Sequence, residues 1–288
     1  MLKGTSTALI TPFTNDKIDF SALERLLEYQ LKNGVDGLVV LGTTGEPSTM
    51  TTEEKVSVVK FVVDYVDGRL PVIVGAGTNS TATTVENALL YTDLGVDGLL
   101  LVTPYYNKCT QHGLVAHFTK VAEKASLPII LYNVPGRTGV NMLPETFATL
   151  ADIDNVVAIK EASGNMEQIA ECIRLSRGKA DVISGDDGLT IPTMCMGGVG
   201  VISVASNILP KYLSTMTSCA LNGDMQKAVD MQLALLPLVR ALFQEVNPIP
   251  IKKGAELLGL CSGELRLPLT EMTEKNAIIL ERILKGFV

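Results

Sequence analysis

The sequence predicts an α/β chain: a (β/α)8 TIM barrel followed by a C-terminal extension of three helices. Three observations carry that prediction. Eight short apolar runs alternate with eight amphipathic segments over about 220 residues, the repeat count of a closed barrel. Most of the runs are unbroken stretches of Val, Ile and Leu, as expected of parallel strands covered on both faces. From Gly223 onward the strand-like runs stop and only helical periodicity remains. The division expected is therefore a barrel of residues 1–222 and a helical extension of residues 223–288.

The elements follow in order. Candidate strands are Gly4–Ile10, Gly37–Leu41, Pro71–Gly75, Gly98–Thr103, Pro128–Val134, Val156–Lys160, Asp181–Gly185 and Gly200–Val204. Between them lie helical patterns such as SALERLLEYQLKNG and TEEKVSVVKFVVDYVDG, several opened by Ser, Thr, Asn or Pro and several closed by Gly. Those are the residues that satisfy helix ends. The pentapeptide GVDGL occurs at Gly34–Leu38 and again at Gly95–Leu99, 61 positions on. That interval holds two βα units of about 30 residues each. An open doubly wound sheet shares the alternation, but it usually carries a glycine-rich turn after an early strand. GAGTN at Gly75–Asn79 lacks the third glycine. The last three segments, GDMQKAVDMQLALLPLVRALFQE, IPIKKGAELLGL and TEKNAIILERILKG, read as helices packed on the barrel.

Composition narrows the function. With 47% hydrophobic and 19% charged residues the chain is globular, not disordered. Its net charge of −7 denies it the basic field of a nucleic-acid binder. The N-terminal MLKGTSTALITPF, with one Lys and an early Pro12, reads as a strand and not a secretory signal. The uncharged stretch Gly188–Pro210 has the length of a membrane span, but Pro192, Gly197, Gly198 and Gly200 divide it into a helix and a buried strand. Five scattered cysteines without a CxxC pair suggest neither zinc nor a disulfide framework and fit free thiols in a reducing cytosol. His112 and His117 stand five apart, the wrong spacing for a shared metal on one helix face, and both read as polar residues of a surface helix.

In a barrel enzyme the chemistry gathers where strands end. Lys160 closes the run Val156–Ile159. Simple alternation puts Val156, Ala158 and Lys160 on one face, with small Ala158 leaving room beside the lysine stem. An ammonium enclosed by apolar walls loses its proton more readily, which frees a nucleophilic amine able to form an imine with a ketone. The plain alternative is a lysine snorkelling from a strand end. Tyr132 ends the preceding strand, where a phenol can shuttle protons for that imine or merely cap the barrel core. Arg137 follows Pro135–Gly136; in that loop its planar fork suits a carboxylate or simply meets solvent. Thr43 and Thr44 offer hydroxyls and main-chain N–H groups to a second carboxylate, or only cap a turn.

GTTGE at Gly42–Glu46, TPYYN at Thr103–Asn107, YNVPGRTG at Tyr132–Gly139, and Lys160 placed 28 positions beyond Tyr132 resemble the class I, Schiff-base-forming pyruvate aldolase/lyase family. The resemblance runs through nearly the whole chain. It implies condensation of pyruvate with L-aspartate-4-semialdehyde to 4-hydroxy-tetrahydrodipicolinate, the first committed step toward diaminopimelate and lysine. By that resemblance Lys160 is the imine-forming residue, and Tyr132, Thr43 and Tyr106 form a proton relay, Tyr106 reaching into a neighbouring subunit. Thr44 helps hold the pyruvate carboxylate, Arg137 anchors the semialdehyde carboxylate, and the main chain at Gly185 and Ile202 lines the pocket. The resemblance implies no metal and no organic cofactor, because the lysine is itself the electron sink. It implies a cytoplasmic homotetramer built as a dimer of tight dimers, with no nucleic-acid or membrane partner.

Within the same family, N-acetylneuraminate lyase or a 2-keto-3-deoxy sugar-acid aldolase is the rival expectation. Arg137 and the Tyr105–Tyr106 pair favour the condensation. A non-catalytic barrel that binds a small molecule is the reading from outside the family. In lysine-sensitive members a feedback site lies at the dimer interface. Asn79 and Tyr105 match it, but Thr52, Lys55 and Thr83 replace its two histidines and glutamate. A lysine side chain repels a cationic ligand, so weak or absent inhibition by lysine is expected.

Overall fold

A computed structural model describes residues 2–287. The first strand, β1 (Gly4–Ala8), is followed by a small hairpin of β2 (Phe13–Thr14) and β3 (Lys17–Ile18) that the sequence reading does not anticipate. Its two turn residues, Asn15 and Asp16, have φ of 52° and 59°, a conformation that a two-residue hairpin turn demands and Asn and Asp tolerate. The further strands are β4 (Gly37–Val40), β5 (Val72–Gly75), β6 (Gly98–Val102), β7 (Ile129–Asn133), β8 (Val156–Glu161), β9 (Asp181–Ser184) and β10 (Gly200–Ser203). With β1 they close into a parallel eight-stranded barrel. Each expected strand is present, all but β8 shorter by a residue or two at one or both ends, and β8 one residue longer. Chain order is spatial order, and β1 closes the ring between β10 and β4.

The helices around the ring are α1 (Phe20–Lys32), α2 (Thr52–Val66), α3 (Thr81–Thr92), α4 (Gln111–Ala122), α5 (Pro135–Thr138), α6 (Pro144–Leu150), α7 (Met166–Ser176), α8 (Thr190–Cys195) and α9 (Pro210–Leu221). Their starts follow from local chemistry. Thr51 and Glu54 form a reciprocal capping box on α2, and Asp19, Ser80, Thr110 and Asn165 accept from the first-turn N–H groups of their helices. The segment around Arg137 is not the loop expected from Pro135, Gly136 and Gly139. It is one helical turn, α5, begun by Pro135 and ended by Gly139 at φ 69°. Pro suits the first helical position and Gly the left-handed stop.

Beyond the barrel lie α10 (Met225–Leu242), α11 (Ile249–Leu257) and α12 (Glu274–Leu284). One continuous apolar cluster runs from the outer faces of the strands through the helix ring into Leu235, Leu238 and Ile251 of these helices. A second, smaller cluster fills the barrel interior, with each strand contributing, from Ala8 of β1 round to Ile202 of β10. His117 is a departure from expectation. It is buried, 6% exposed, packed edge-on against Phe118 with Nδ1 2.8 Å from the Thr81 hydroxyl, because the inner face of α4 turns it toward α3. Among the described residues no helix is long and apolar enough to cross a membrane.

The β8 strand also departs from simple alternation. Ile129 pairs with Val156 but Ile130 pairs with Ala158, so the register slips at Val157. Val156 therefore packs in the outer cluster while Val157 and Ala158 both face the interior. Val156 does not share a face with Lys160, as a strict two-residue period would have it. A bulge adds one residue and resets the phase of everything after it.

Candidate active site

Above the slip the ladder is regular, and Tyr132 and Lys160 are direct partners across β7 and β8. Both point into the barrel mouth and are nearly enclosed, at 7% and 6% exposure. Nζ of Lys160 lies 4.4 Å from the centroid of the Tyr132 ring, over its face. The stem is confined by Gly185 at the end of β9. A methyl group there would stand 3.0 Å from Cε of Lys160 and 2.7 Å from Cβ of Ala162, so only glycine leaves the lysine its channel.

Burial pushes the Lys160 amine down to about 8; the Asp187 carboxylate opposes that fall and the Arg137 guanidinium adds to it. At pH 7 about a tenth of such an amine is unprotonated, against a few parts in ten thousand for an ordinary lysine. Burial raises the Tyr132 phenol, while Arg137 and the Thr43 hydroxyl work in the opposite sense. Asp187 is itself buried. Its Oδ2 accepts from the N–H groups of Val204 (3.0 Å) and Ala205 (2.9 Å), which fixes a carboxyl group at the ends of β9 and β10.

The lysine lies in the wall of a cavity of about 400 Å³, which Thr43, Thr44, Tyr132, Arg137 and Gly185 also line. A second cavity of about 300 Å³ adjoins it across Thr43, Tyr132 and Arg137 and reaches Lys55 and Tyr105. The structure thus brings together six of the eight residues named from the sequence. Ile202 is not among the cavity walls. It is fully buried in the barrel interior, and Val204, two residues later and past the strand end, takes that place. Tyr106 is 91% exposed, with φ of 72°, and stands away from the cavity.

Nothing in the sequence pointed to Asn247, which lies between α10 and α11. Its Nδ2 donates to the Thr44 hydroxyl at 2.9 Å, and its main-chain oxygen accepts from Nη2 of Arg137 at 2.9 Å. Arg240 and Phe243 join it in the wall. These residues come from the extension, with no motif around them, and Asn247 is separated from Thr44 by 203 positions; only folding places them there.

A closed parallel barrel with a desolvated lysine and a phenol at the carboxyl ends of its strands is the arrangement of the lysine-dependent barrel aldolases and lyases. Residues 1–286 match the dihydrodipicolinate synthetase family, and the chain belongs to that family. The 4-hydroxy-tetrahydrodipicolinate synthase of Thermoanaerobacter sp. (strain X514) is 50% identical over 288 residues, covering 100% of this chain and 97% of its own. The Geobacter metallireducens protein of the same name is 50% identical over 287 residues, with coverage of 100% and 99%. Among solved structures, dihydrodipicolinate synthase from Thermotoga maritima matches with a TM-score of 0.98 and 46% identity over 99% of this chain and 98% of that one. The chloride-inhibited dihydrodipicolinate synthase of Acinetobacter baumannii, solved in complex with pyruvate, has a TM-score of 0.98 and 41% identity over 100% of both chains.

Proposed function

We infer that the chain is a 4-hydroxy-tetrahydrodipicolinate synthase, condensing pyruvate with L-aspartate-4-semialdehyde in the route to diaminopimelate and lysine. Family membership and relatives of that name support the reaction. The observation that carries the chemistry is the enclosed Lys160 amine over the Tyr132 ring.

The neutral amine adds to the pyruvate ketone, and the adduct loses water to give an imine. Protonated, the imine draws electrons from the neighbouring methyl carbon, which gives up a proton and becomes an enamine. The enamine carbon bonds to the aldehyde carbon of the second substrate, whose oxygen takes up a proton. The semialdehyde amine then attacks the imine carbon, closes the ring and returns Lys160 as a free amine. Tyr132 moves protons in the first and last steps, with Thr43 beside it. Thr44, fixed by Asn247, holds the pyruvate carboxylate. Arg137, anchored on the Asn247 carbonyl, orients the semialdehyde through its carboxylate. Gly185 shapes the channel for the lysine stem.

The proposed relay is completed by Tyr106 of a second copy, within a homotetramer built as a dimer of dimers. The exposure of this tyrosine on an isolated chain suits that role. The barrel, residues 1–222, carries the lysine, and the extension, residues 223–288, closes the site with Asn247 and Arg240. Five free thiols fit a cytoplasmic setting.

Borohydride reduction in the presence of pyruvate, followed by peptide mass mapping, tests the reading. A reduced pyruvyl group on Lys160 alone is the expected result, and labelling elsewhere or nowhere refutes it. A substrate panel then separates condensation with the semialdehyde from cleavage of sialic or 2-keto-3-deoxy sugar acids.

A further inference from the structure

The part of β8 that carries Lys160 lies just beyond the slip at Val157, so the ladder below does not dictate the register above. A shift of one residue would turn every later side chain to the opposite face. Ile159 or Glu161 would then enter the barrel mouth in place of the lysine.

Behind the mouth, on the outer face of the same strand ends, is a closed polar cluster. Asn133 and Glu161 are partners across the ladder one step beyond Tyr132 and Lys160, and both are fully buried. Nδ2 of Asn133 donates to Oε2 of Glu161 at 2.9 Å. The N–H of Ser163 donates to Oε1 of Glu161 at 2.7 Å, and the N–H of Met142 to Oδ1 of Asn133 at 2.9 Å. Nε2 of Gln168, from α7, reaches Oε2 of Glu161 at 3.3 Å. The two main-chain donors at either end set the direction of the bonds between. Asn133 must accept at Oδ1 and donate from Nδ2, and Glu161 must accept at both oxygens. Only a carboxylate does that; a glutamine would set one amide NH2 against a donor in a buried place. Neither Asn133 nor Glu161 lines either cavity.

We propose that Glu161, gripped by Asn133, is a positioning residue that keys β8 to β7 in the one register that lays the Lys160 amine over the Tyr132 ring. The inference rests on the reading of Lys160 as the imine-forming residue. Glu161 makes no contact with substrate; it acts by holding the reacting groups where displacement is costly. The same grip on Met142 ties down the chain returning from the turn that bears Arg137.

Three variants test this: Glu161→Gln, Glu161→Asp, and Glu161→Gln combined with Asn133→Asp. Each is compared with the wild-type protein, per mole of folded chain, for kcat, KM for pyruvate and the rate of borohydride trapping on Lys160. Glu161→Gln should lower kcat and trapping about 10- to 100-fold, the loss expected of a misplaced reacting group, with KM for pyruvate little changed. The double variant reverses the polarity of the broken bond, since the carboxylate introduced by Asn133→Asp accepts from both the Met142 N–H and the new amide. Asn141, which accepts from Nδ2 of Asn133 at 2.8 Å, and Gln168 are joined by a reciprocal pair of amide bonds, so turning both amides over matches the reversed polarity. The double variant should recover most of the lost rate. Glu161→Asp keeps the charge but is too short to hold Ser163 and Asn133 together, so it should also slow trapping. The proposal is overturned if folded Glu161→Gln or Glu161→Asp traps and turns over like wild type, with only thermal stability reduced. It is overturned equally if the folded double variant is no faster than Glu161→Gln. Should Glu161→Gln not fold, Glu161→Asp and the double variant decide the matter against wild type. Absence of trapping in the wild-type protein would instead defeat the functional reading, and is read separately.

Discussion

Replacing Lys160 with Met should abolish imine formation and at the same time stabilise the fold at neutral pH. The amine is held at about 8 in the folded protein, against 10.5 for an ordinary lysine. The unfolded chain therefore binds the proton more tightly, and stability rises with pH between about 8 and 10.5. Below 8 both states are protonated and the full cost applies, about 3 kcal/mol at roughly 1.4 kcal/mol per pH unit. At pH 10 about 1 kcal/mol of it remains by the same relation. Methionine has similar length and no charge, so it removes this cost, but it forfeits the attraction of the ammonium to the Tyr132 ring, about 1 kcal/mol. The variant should thus gain about 2 kcal/mol at pH 7. At pH 10 the folded amine is neutral and has no ammonium attraction to lose, so the gain should narrow to about 1 kcal/mol. Urea unfolding of the substrate-free proteins at matched protomer concentration measures both values. A variant less stable than wild type at pH 7, or a margin that fails to narrow by pH 10, refutes the claim that the amine is kept desolvated.

The remaining predictions concern other parts of the site. Lys252 and Glu46 form a fully enclosed ion pair, Nζ to Oε1 2.5 Å, that joins α11 to the turn bearing Thr43 and Thr44; Lys252→Met strands the carboxylate and should cost about 3–5 kcal/mol. Adding Glu46→Gln should recover much of that loss in the same unfolding assay. Arg137→Ala should raise KM for the semialdehyde while leaving pyruvate trapping on Lys160 near the wild-type rate, and equal loss in both counts against its assigned role. Lysine should inhibit weakly or not at all, because Lys55 lines the cavity beside Tyr105; a dose–response curve with sub-millimolar inhibition would overturn this.

Several features are legible in the sequence because they depend on near neighbours. Strand-length apolar runs, helix caps and glycine stops locate all eight barrel strands and the three terminal helices. Barrel closure then makes the strand ends converge, so Lys160, Tyr132, Thr43, Thr44, Arg137 and Gly185 can be named together from the sequence. The departures share another cause. Strict alternation puts Val156 on the wrong face because a bulge is a property of two paired strands, not of one. Ile202 lies one layer deeper than expected because the depth of a residue in the mouth depends on how the neighbouring strands are staggered. His117 is buried, not on the surface, because the sequence does not show which face of α4 meets α3.

The order of residues by itself determined the barrel, the chemistry-bearing strand ends and the family, since local propensity and hydrophobic period act over a few positions at a time. Only the tertiary structure decided that Asn247 reaches Thr44 and Arg137, that Gly185 leaves a channel for the lysine stem, and that Glu161 stands behind Lys160 as Asn133's partner. Those relations join groups far apart in the chain, and they exist only once packing has removed water and fixed which donor meets which acceptor.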